Sequence, residues 1–449
     1  MDLARAFNLK AGQSLAFVGA GGKTSAMFAL AHALKARVVL TTTTHLGVWQ
    51  AELAEKHHVI QNFQDIATLD LSSADIHLIT GPGGSDDRLS ALEGDLLEAL
   101  RERSSKDGIP LLIEADGARQ RPLKAPAEYE PVIPAWIDRV VVVAGLVGVG
   151  EPLTDAVVHR PDRFAAVTGR TLGATIQGED LVCVLGSAQG GLKGIPESAQ
   201  RVLFLNQADD LRMMALGGRI ARQLLGQYHQ VMVASLQQEG IQGPVFSVHS
   251  KTAGVVLAAG GSERLGAIKQ LLSWQGKPFI RKVVENGLEA GLSPLVVVTG
   301  AAQEAVAIAV DGLPVILVHN DEWETGQASS MRAGLSALSS EVDSALFLLS
   351  DQPQISVNLI SQLIERYAQN RMPITAPLME GQRGNPVLFA QETFEALMKV
   401  SGDRGGRAVF NQFSVDWLTW VDRRSGLDVD KLGDEGRLMD AYFPDRSPE

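Results

Sequence analysis

Short β-branched runs alternate with helix-like stretches along the whole chain, and that alternation is the signature of a mostly parallel α/β sheet. In the first half the predicted strands are Ser14 to Val18, Arg37 to Thr42, Ile76 to Thr80, Pro110 to Ala115, Arg139 to Ala144, Leu181 to Leu185, Arg201 to Asn206 and Gln230 to Ala234. In the second half they are Gly254 to Ala258, Pro294 to Thr299, Val315 to His319, Ala345 to Ser350, Pro373 to Ala376 and Pro386 to Phe389. Several are apolar throughout, as expected of strands covered by helices on both faces. A chain of 449 residues exceeds one ordinary core, so two α/β domains are expected. The polar, turn-rich stretch from Gln237 to Pro244 separates the two series. It sets a first domain at 1–236, a connector at 237–251 and a second domain at 252–449.

Charge and cysteine content narrow the function classes. The net charge of −12 argues against non-specific nucleic-acid binding, which needs a basic surface, but leaves phosphate ligands open. Cys183 is the one cysteine and lies in the apolar run Leu181 to Leu185, where a buried core thiol is expected. That count rules out an intrachain disulfide framework and favours a reducing compartment. Met1 to Lys10 mixes charges without an apolar stretch, unlike a signal peptide. The most apolar window, Val140 to Val149, is too short to span a bilayer, so a cytoplasmic protein with no membrane partner is expected.

In the second half, the predicted strand ending at Ala258 runs into Ala259, Gly260, Gly261, Ser262, Glu263, Arg264, Leu265, Gly266, Ala267, Ile268 and Lys269. Glycines let backbone N–H groups turn toward an anion, and Arg264 and Lys269 suit a triphosphate and its leaving pyrophosphate. A solvated Gly-rich turn is the plainer alternative. Further on, Leu346 to Leu349 delivers Asp351 to the carboxyl end of a strand, where open α/β sheets bind ligands. Asp351 suits Mg²⁺ (or Mn²⁺) bridging phosphates, or alternatively caps the predicted helix from Ile355 to Tyr367. Of Asp428 and Asp430, only one could face a metal in an extended segment. Gly402 to Arg407 forms a loop with two cations, suited to an anion or simply solvated.

These motifs, in order, resemble the molybdenum cofactor cytidylyltransferase branch of the MobA-like NTP transferases over about residues 252 to 440. They are the loop beginning Leu257, Ala258, Ala259 and Gly260, then Gly-Gln-x-x-Ser-Met at 326–331, Ser-Asp-Gln-Pro at 350–353, Gly-x-Pro-Val-Leu-Phe at 384–389, Gly-Asp-x-Gly-Gly-Arg at 402–407 and the late Asp-x-Asp. The resemblance implies a Rossmann-like nucleotidyltransferase domain with a mostly parallel sheet. It also implies CTP as donor, molybdopterin phosphate as acceptor, and release of pyrophosphate. It assigns Arg264, Lys269 and Asp351 to catalysis, and Asp351 and Asp430 to the metal. Leu257, Ala258, Ala259, Gly260, Gly261, Ser262, Gly266, Ser330, Gly384 and Asn385 would bind the ligands. Ala258-Ala259-Gly260 favours CTP, since guanylyltransferases of the group tend to carry Leu-Ala-Gly-Gly there. Asn385 is a departure, because relatives often have His at that place. A sugar phosphate acceptor, or a non-catalytic chaperone that grips the cofactor, are the competing readings.

The first half opens similarly, with a strand, the turn Gly19-Ala20-Gly21-Gly22-Lys23-Thr24 and a helix from Ser25 to Leu34. Phosphate on a helix N-terminus, a Lys for the outer phosphates and a Thr for Mg²⁺ are the parts of a P-loop, here a short one because Phe17 replaces its first Gly. Asp116, after the apolar run Leu111 to Ile113, is a candidate Mg²⁺ partner of Thr24. Asn206 and Asp209 resemble the base-reading Asn-Lys-x-Asp of GTPases with Gln207 in place of Lys, so ATP or GTP is the expected ligand. His45 and His159 are read as local hydrogen-bonding residues, and Arg119, Arg121 and Lys124 as an anion site or a charged loop. Together with Thr41 to His45, Glu114 to Ala127 and Val158 to Pro161, this half resembles the YqeC-type selenium-dependent hydroxylase accessory proteins over about residues 8 to 235. The resemblance implies a nucleotide-binding accessory domain that serves an apo molybdenum hydroxylase.

Overall fold

The computed structural model describes residues 1–83, 88–92, 94–237, 243–261, 268–426 and 442. The chain divides into two compact units, Met1–His249 and Ser250–Glu449.

The first unit is built on a nine-stranded sheet. Its strands are β1 (Ser14–Gly19), β2 (Val38–Thr42), β3 (Lys56–Val59), β4 (Ile76–Thr80), β5 (Leu111–Glu114), β6 (Arg139–Gly145), β7 (Gln200–Asn206), β8 (Gln230–Ala234) and β9 (Val245–Ser250), in the order β9-β8-β7-β6-β1-β5-β2-β4-β3. From β8 to β3 every pairing is parallel. Side chains alternate between two cores, as a strand's two-residue period requires. Ala16, Val18, Ile113, Val140 and Val142 enter one core, while Leu15, Phe17, Leu112, Val141 and Val143 enter the other. Because the strands are parallel, the carboxyl ends of β1, β5, β6 and β7 share one edge. The stretch expected as a connector carries the edge strand β9.

The expected strand at Leu181 to Leu185 is instead the end of a helix, Gly178–Leu185. Leu181, Val184 and Leu185 face inward, and the helical period turns Cys183 to solvent. The buried thiol expected from the apolar run is therefore corrected to an exposed one. A five-residue apolar run fits a strand and a helical stripe equally well.

The second unit carries a mixed sheet of β10 (Thr252–Ala258), β11 (Leu295–Thr299), β12 (Ile316–His319), β13 (Ser344–Leu349), β14 (Ile374–Met379), β15 (Val387–Ala390) and β16 (Val415–Trp420). The order is β12-β11-β10-β13-β15-β14, with β16 and the short Gln382–Arg383 strand both paired to β14. The pairings from β12 to β13 are parallel, and β15 runs antiparallel to both of its neighbours. Val256, Ala258, Leu346 and Leu348 pack into one core, and Val255, Ala345 and Phe347 into the other. Among the described residues, no helix is long and apolar enough to cross a membrane.

Candidate functional sites

In the first unit, β1 ends at Gly19 and the chain turns through Gly21 and Gly22, at φ 78° and 106°, into the helix Lys23–Leu34. Those left-handed angles are open to glycine at little cost. Space adds a second demand, since a Cβ on Gly21 would lie 2.6 Å from Gly145 Cα. Asn206 holds the loop from β7, donating from Nδ2 to Gly21 O at 2.8 Å and accepting from Leu236 N at 3.2 Å.

Lys23 is buried, and its Nζ donates to Gly19 O at 2.8 Å and pairs with Asp116 Oδ1 at 3.2 Å. Asp116 Oδ2 accepts from Gly19 N at 3.0 Å and from Lys124 Nζ at 2.7 Å. Lys124 also pairs with Glu130 at 2.8 Å, and Arg160 clasps both Glu130 oxygens at 2.7 and 3.0 Å. The result is an alternating chain, Lys23–Asp116–Lys124–Glu130–Arg160, that runs from the glycine loop to Val158–His159. Burial alone would raise the Glu130 carboxyl, but Arg160 and Lys124 hold it down at about 2. Burial first, then the Arg160 and Lys124 charges, lower His159 to about 4.

Thr24 is tied to the neighbouring strand β5. Its hydroxyl donates to Glu114 Oε2 at 2.6 Å, while Asp116 Oδ2 accepts from Lys124 and the Gly19 N–H and the buried Oδ1 has only its ion pair with Lys23. The carboxylate beside the Thr24 hydroxyl is thus Glu114, and Asp116 sits between Lys23 and Lys124. Parallel register decides it, because Glu114 pairs with Phe17 of β1. Burial pushes the Glu114 carboxyl up, against the pull of Lys23 and the Thr24 hydrogen bond.

These groups border a cleft of about 810 Å³ at the carboxyl edge of the sheet, lined by Gly21, Gly22, Lys23, Thr24 and Glu114 among others. Arg119, Arg121, His159, Arg160, Trp49 and Tyr129 also line it. Asn206 and Asp209 are not among its lining residues. Asn206 is used by the loop, and Asp209 is exposed and bonded to Ser235 Oγ.

In the second unit, β10 ends at buried Ala258, followed by buried Ala259, exposed Gly260 and half-buried Gly261. Gln270 braces this loop, donating from Nε2 to Ala258 O at 3.3 Å and to Gly260 O at 3.1 Å. Lys269 is half-buried in the turn Lys269–Leu271, and half-buried Asp351 follows β13 at the same sheet edge. Ser262, Arg264, Gly266 and Asp430 lie outside the described residues.

Three motifs far apart in sequence meet in a neighbouring pocket of about 620 Å³. Gln327 comes from the first, Gly384 and Asn385 from the second, and Asp403, Arg404 and Arg407 from the third. Glycines allow the fit. A Cβ on Gly326 would lie 2.6 Å from Gly402 C, one on Gly406 would lie 2.7 Å from Phe389 Cζ, and one on Gly405 would collide with Gln327 Oε1. Leu257, Met331, Phe347, Phe389 and Phe410 supply an apolar lining. Arg383 also lines the pocket and stacks on Phe410 at 5.1 Å and Trp417 at 5.8 Å. Ser330 does not line it; its buried hydroxyl accepts from Asn320 Nδ2 at 3.0 Å.

The YqeC protein family matches residues 15–162, and the MobA-like NTP transferase domain matches residues 254–417. Over 204 residues the chain is 37% identical to YqeC of Escherichia coli (strain K12), covering 43% of this chain and 75% of that protein. The chain belongs to the YqeC family and carries a MobA-like NTP transferase domain. That second domain is 32% identical over 196 residues to the nicotine blue oxidoreductase of Paenarthrobacter nicotinovorans, covering 41% of this chain and 95% of the relative. It is 26% identical over 184 residues to a "probable molybdenum cofactor guanylyltransferase" of Bacillus mycoides (strain KBAB4), covering 40% and 89%. The transferase domain is thus a nucleotidyltransferase related to molybdenum-cofactor enzymes. Arg383 and the aromatic residues of its pocket were missed in sequence because only the fold brings them beside the motif loops. In the YqeC domain, Glu130 was missed for the same reason, and Arg160 was read only as part of the motif at 158–161.

Proposed function

We propose that the transferase domain is a magnesium-dependent cytidylyltransferase that moves CMP from CTP onto the phosphate of molybdopterin. The observation that carries this reading is the pocket shared by Gln327, Asn385, Arg404 and Arg407, at the same sheet edge as Asp351 and the β10 loop. Its aromatic lining and arginines suit a flat heteroaromatic ring bearing a phosphate better than they suit a sugar phosphate. Ala258-Ala259-Gly260 supports CTP as donor, through the resemblance to the cytidylyltransferase branch.

A Mg²⁺ bridging phosphates needs only one or two protein carboxylates, and Asp351 fits the first of these. Asp430 would be the second. Bound there, the cation would offset negative charge on the triphosphate. Lys269, with Arg264, would hold the β- and γ-phosphates. The arginines of the pocket would hold the acceptor so that its phosphate oxygen faces the α-phosphorus. In the transfer, that oxygen forms a new P–O bond as the bond to the β-phosphate breaks, and pyrophosphate leaves. Positioning and charge neutralisation supply the catalysis, with no covalent enzyme intermediate.

The YqeC domain, on this reading, binds ATP or GTP on the Gly19–Thr24 loop and assists delivery of the cofactor to an apo molybdenum hydroxylase.

The decisive experiment is pyrophosphate release from CTP, GTP and ATP with molybdopterin-Mo and Mg²⁺. CTP should be preferred, and Asp351→Asn should lower the rate by about 10²-fold or more. No release with any nucleotide, together with tight cofactor binding, would replace the enzyme with a chaperone. For the YqeC domain, hydrolysis of ATP or GTP should fall in Lys23→Ala, and equal rates would sink the phosphate-loop reading.

A further inference from the structure

The cleft of the YqeC domain is more elaborate than a phosphate loop requires. Six described non-glycine residues of the first unit have left-handed backbone: Asn8, Lys35, Arg119, Gln120, Arg160 and Gln207. Asn8 and Lys35 are helix C-caps, an ordinary place for that conformation. The other four, at φ 48°, 58°, 69° and 63°, all line the one cleft. Backbone strain of this kind persists where the surroundings over-determine it, and it concentrates at ligand sites.

Charge points the same way. Among the described residues, Arg119 and Arg121 have neither a carboxylate partner nor a hydrogen bond from their side chains, although both border the cleft. Arg160 joins them there, oriented by its two bonds to Glu130. Planar guanidinium groups match the paired oxygens of a phosphate. Lys23 and Thr24, the first two residues of the helix after the glycine loop, line the same cleft.

We infer that this cleft holds two ligands: a nucleoside triphosphate on the Gly19–Thr24 loop, and a separate phosphate-bearing small molecule on Arg119, Arg121 and Arg160. The first half of this inference rests on the phosphate-loop reading above; the second stands on the three arginines that line the cleft. The chain Lys23–Asp116–Lys124–Glu130–Arg160 connects the loop to Arg160, so the two sites are linked by alternating ion pairs.

The test is calorimetry on the full-length chain with inorganic phosphate as probe. Titrations run with and without saturating Mg²⁺ and β,γ-imido analogues of ATP and GTP, with CTP present to fill the transferase domain. Phosphate should still bind when the analogue is present, and its affinity should fall at least ten-fold in Arg119→Ala/Arg121→Ala. Both residues are at least partly exposed, so the double variant should retain the wild-type melting temperature. Displacement of phosphate by the analogue, or equal phosphate affinity in the double variant, overturns the second site. The two readings fail separately: analogue binding unchanged in Lys23→Ala removes the phosphate loop, whereas the arginine variants alone decide the phosphate site.

Discussion

The Thr24 hydroxyl donates to Glu114 Oε2 at 2.6 Å, across the gap between the first helical turn after β1 and the end of β5. Two residues later, Asp116 is clamped between Lys23 and Lys124. Neighbouring acids thus have opposite duties, and substitution separates them. Glu114→Gln keeps the shape and the hydrogen-bonding capacity at Thr24, so the fold should survive while Mg²⁺-dependent hydrolysis of ATP or GTP drops at least ten-fold. Asp116→Ala leaves two buried lysines without their shared partner, a loss of about 3–5 kcal/mol. Melting curves and hydrolysis rates on both variants check this. A stable Asp116→Ala protein beside an unfolded Glu114→Gln protein would reverse the assignment.

The same ion-pair chain sets a pH dependence for the YqeC domain. His159 is lowered from its ordinary value to about 4, so the folded state binds its proton less readily than the unfolded chain. Stability should fall as pH drops from about 6.5 through 4. Glu130 is lowered to about 2 by Arg160 and Lys124 against the opposing effect of burial, so its contribution is present above about 4.5 and is lost as pH falls toward 2. Unfolding midpoints in denaturant across pH 7 to 3 should show both windows. Glu130→Gln should remove the lower window and leave the upper one, and an unchanged profile would refute the assignment.

Much of the sheet was legible in sequence because strands buried on both faces are written as plain apolar runs. Where burial is partial, the signal weakened. β16, with the alternating Val415, Asp416, Trp417, Leu418, Thr419 and Trp420, was missed, and β9 lay hidden in a stretch read as connector. The glycine loops were legible because their backbone angles and close approaches demand glycine. The choice between Glu114 and Asp116 was not, since it depends on the pairing of Glu114 with Phe17, which no local pattern encodes.

Close packing between the loops at 326–331 and 402–407 yields a stability prediction for the transferase domain. Gly405 has φ 52°, and a Cβ there would collide with Gln327 Oε1. Gly405→Val should therefore cost about 1–3 kcal/mol through backbone strain and displacement of Gln327. Gly312 is also at positive φ, but a Cβ added there would meet open space. Gly312→Val should therefore cost only the backbone share. Chemical denaturation of the two variants compares them. Equal losses would mean that the two loops do not constrain each other.

Arg383 gives the sharpest test of what the transferase pocket holds. Its guanidinium is fixed over Phe410 and Trp417, at 5.1 and 5.8 Å, and it has no ion-pair partner among the described residues. A stacked arginine is positioned before a ligand arrives, so less side-chain freedom is lost on binding an acceptor phosphate. Arg383→Lys keeps the charge but loses the planar stack and the paired donors. If Arg383 holds the acceptor, KM for molybdopterin should rise about ten-fold in Arg383→Lys and further in Arg383→Ala, while KM for CTP stays within about two-fold. A change confined to the nucleotide KM would move the donor, rather than the acceptor, into this pocket.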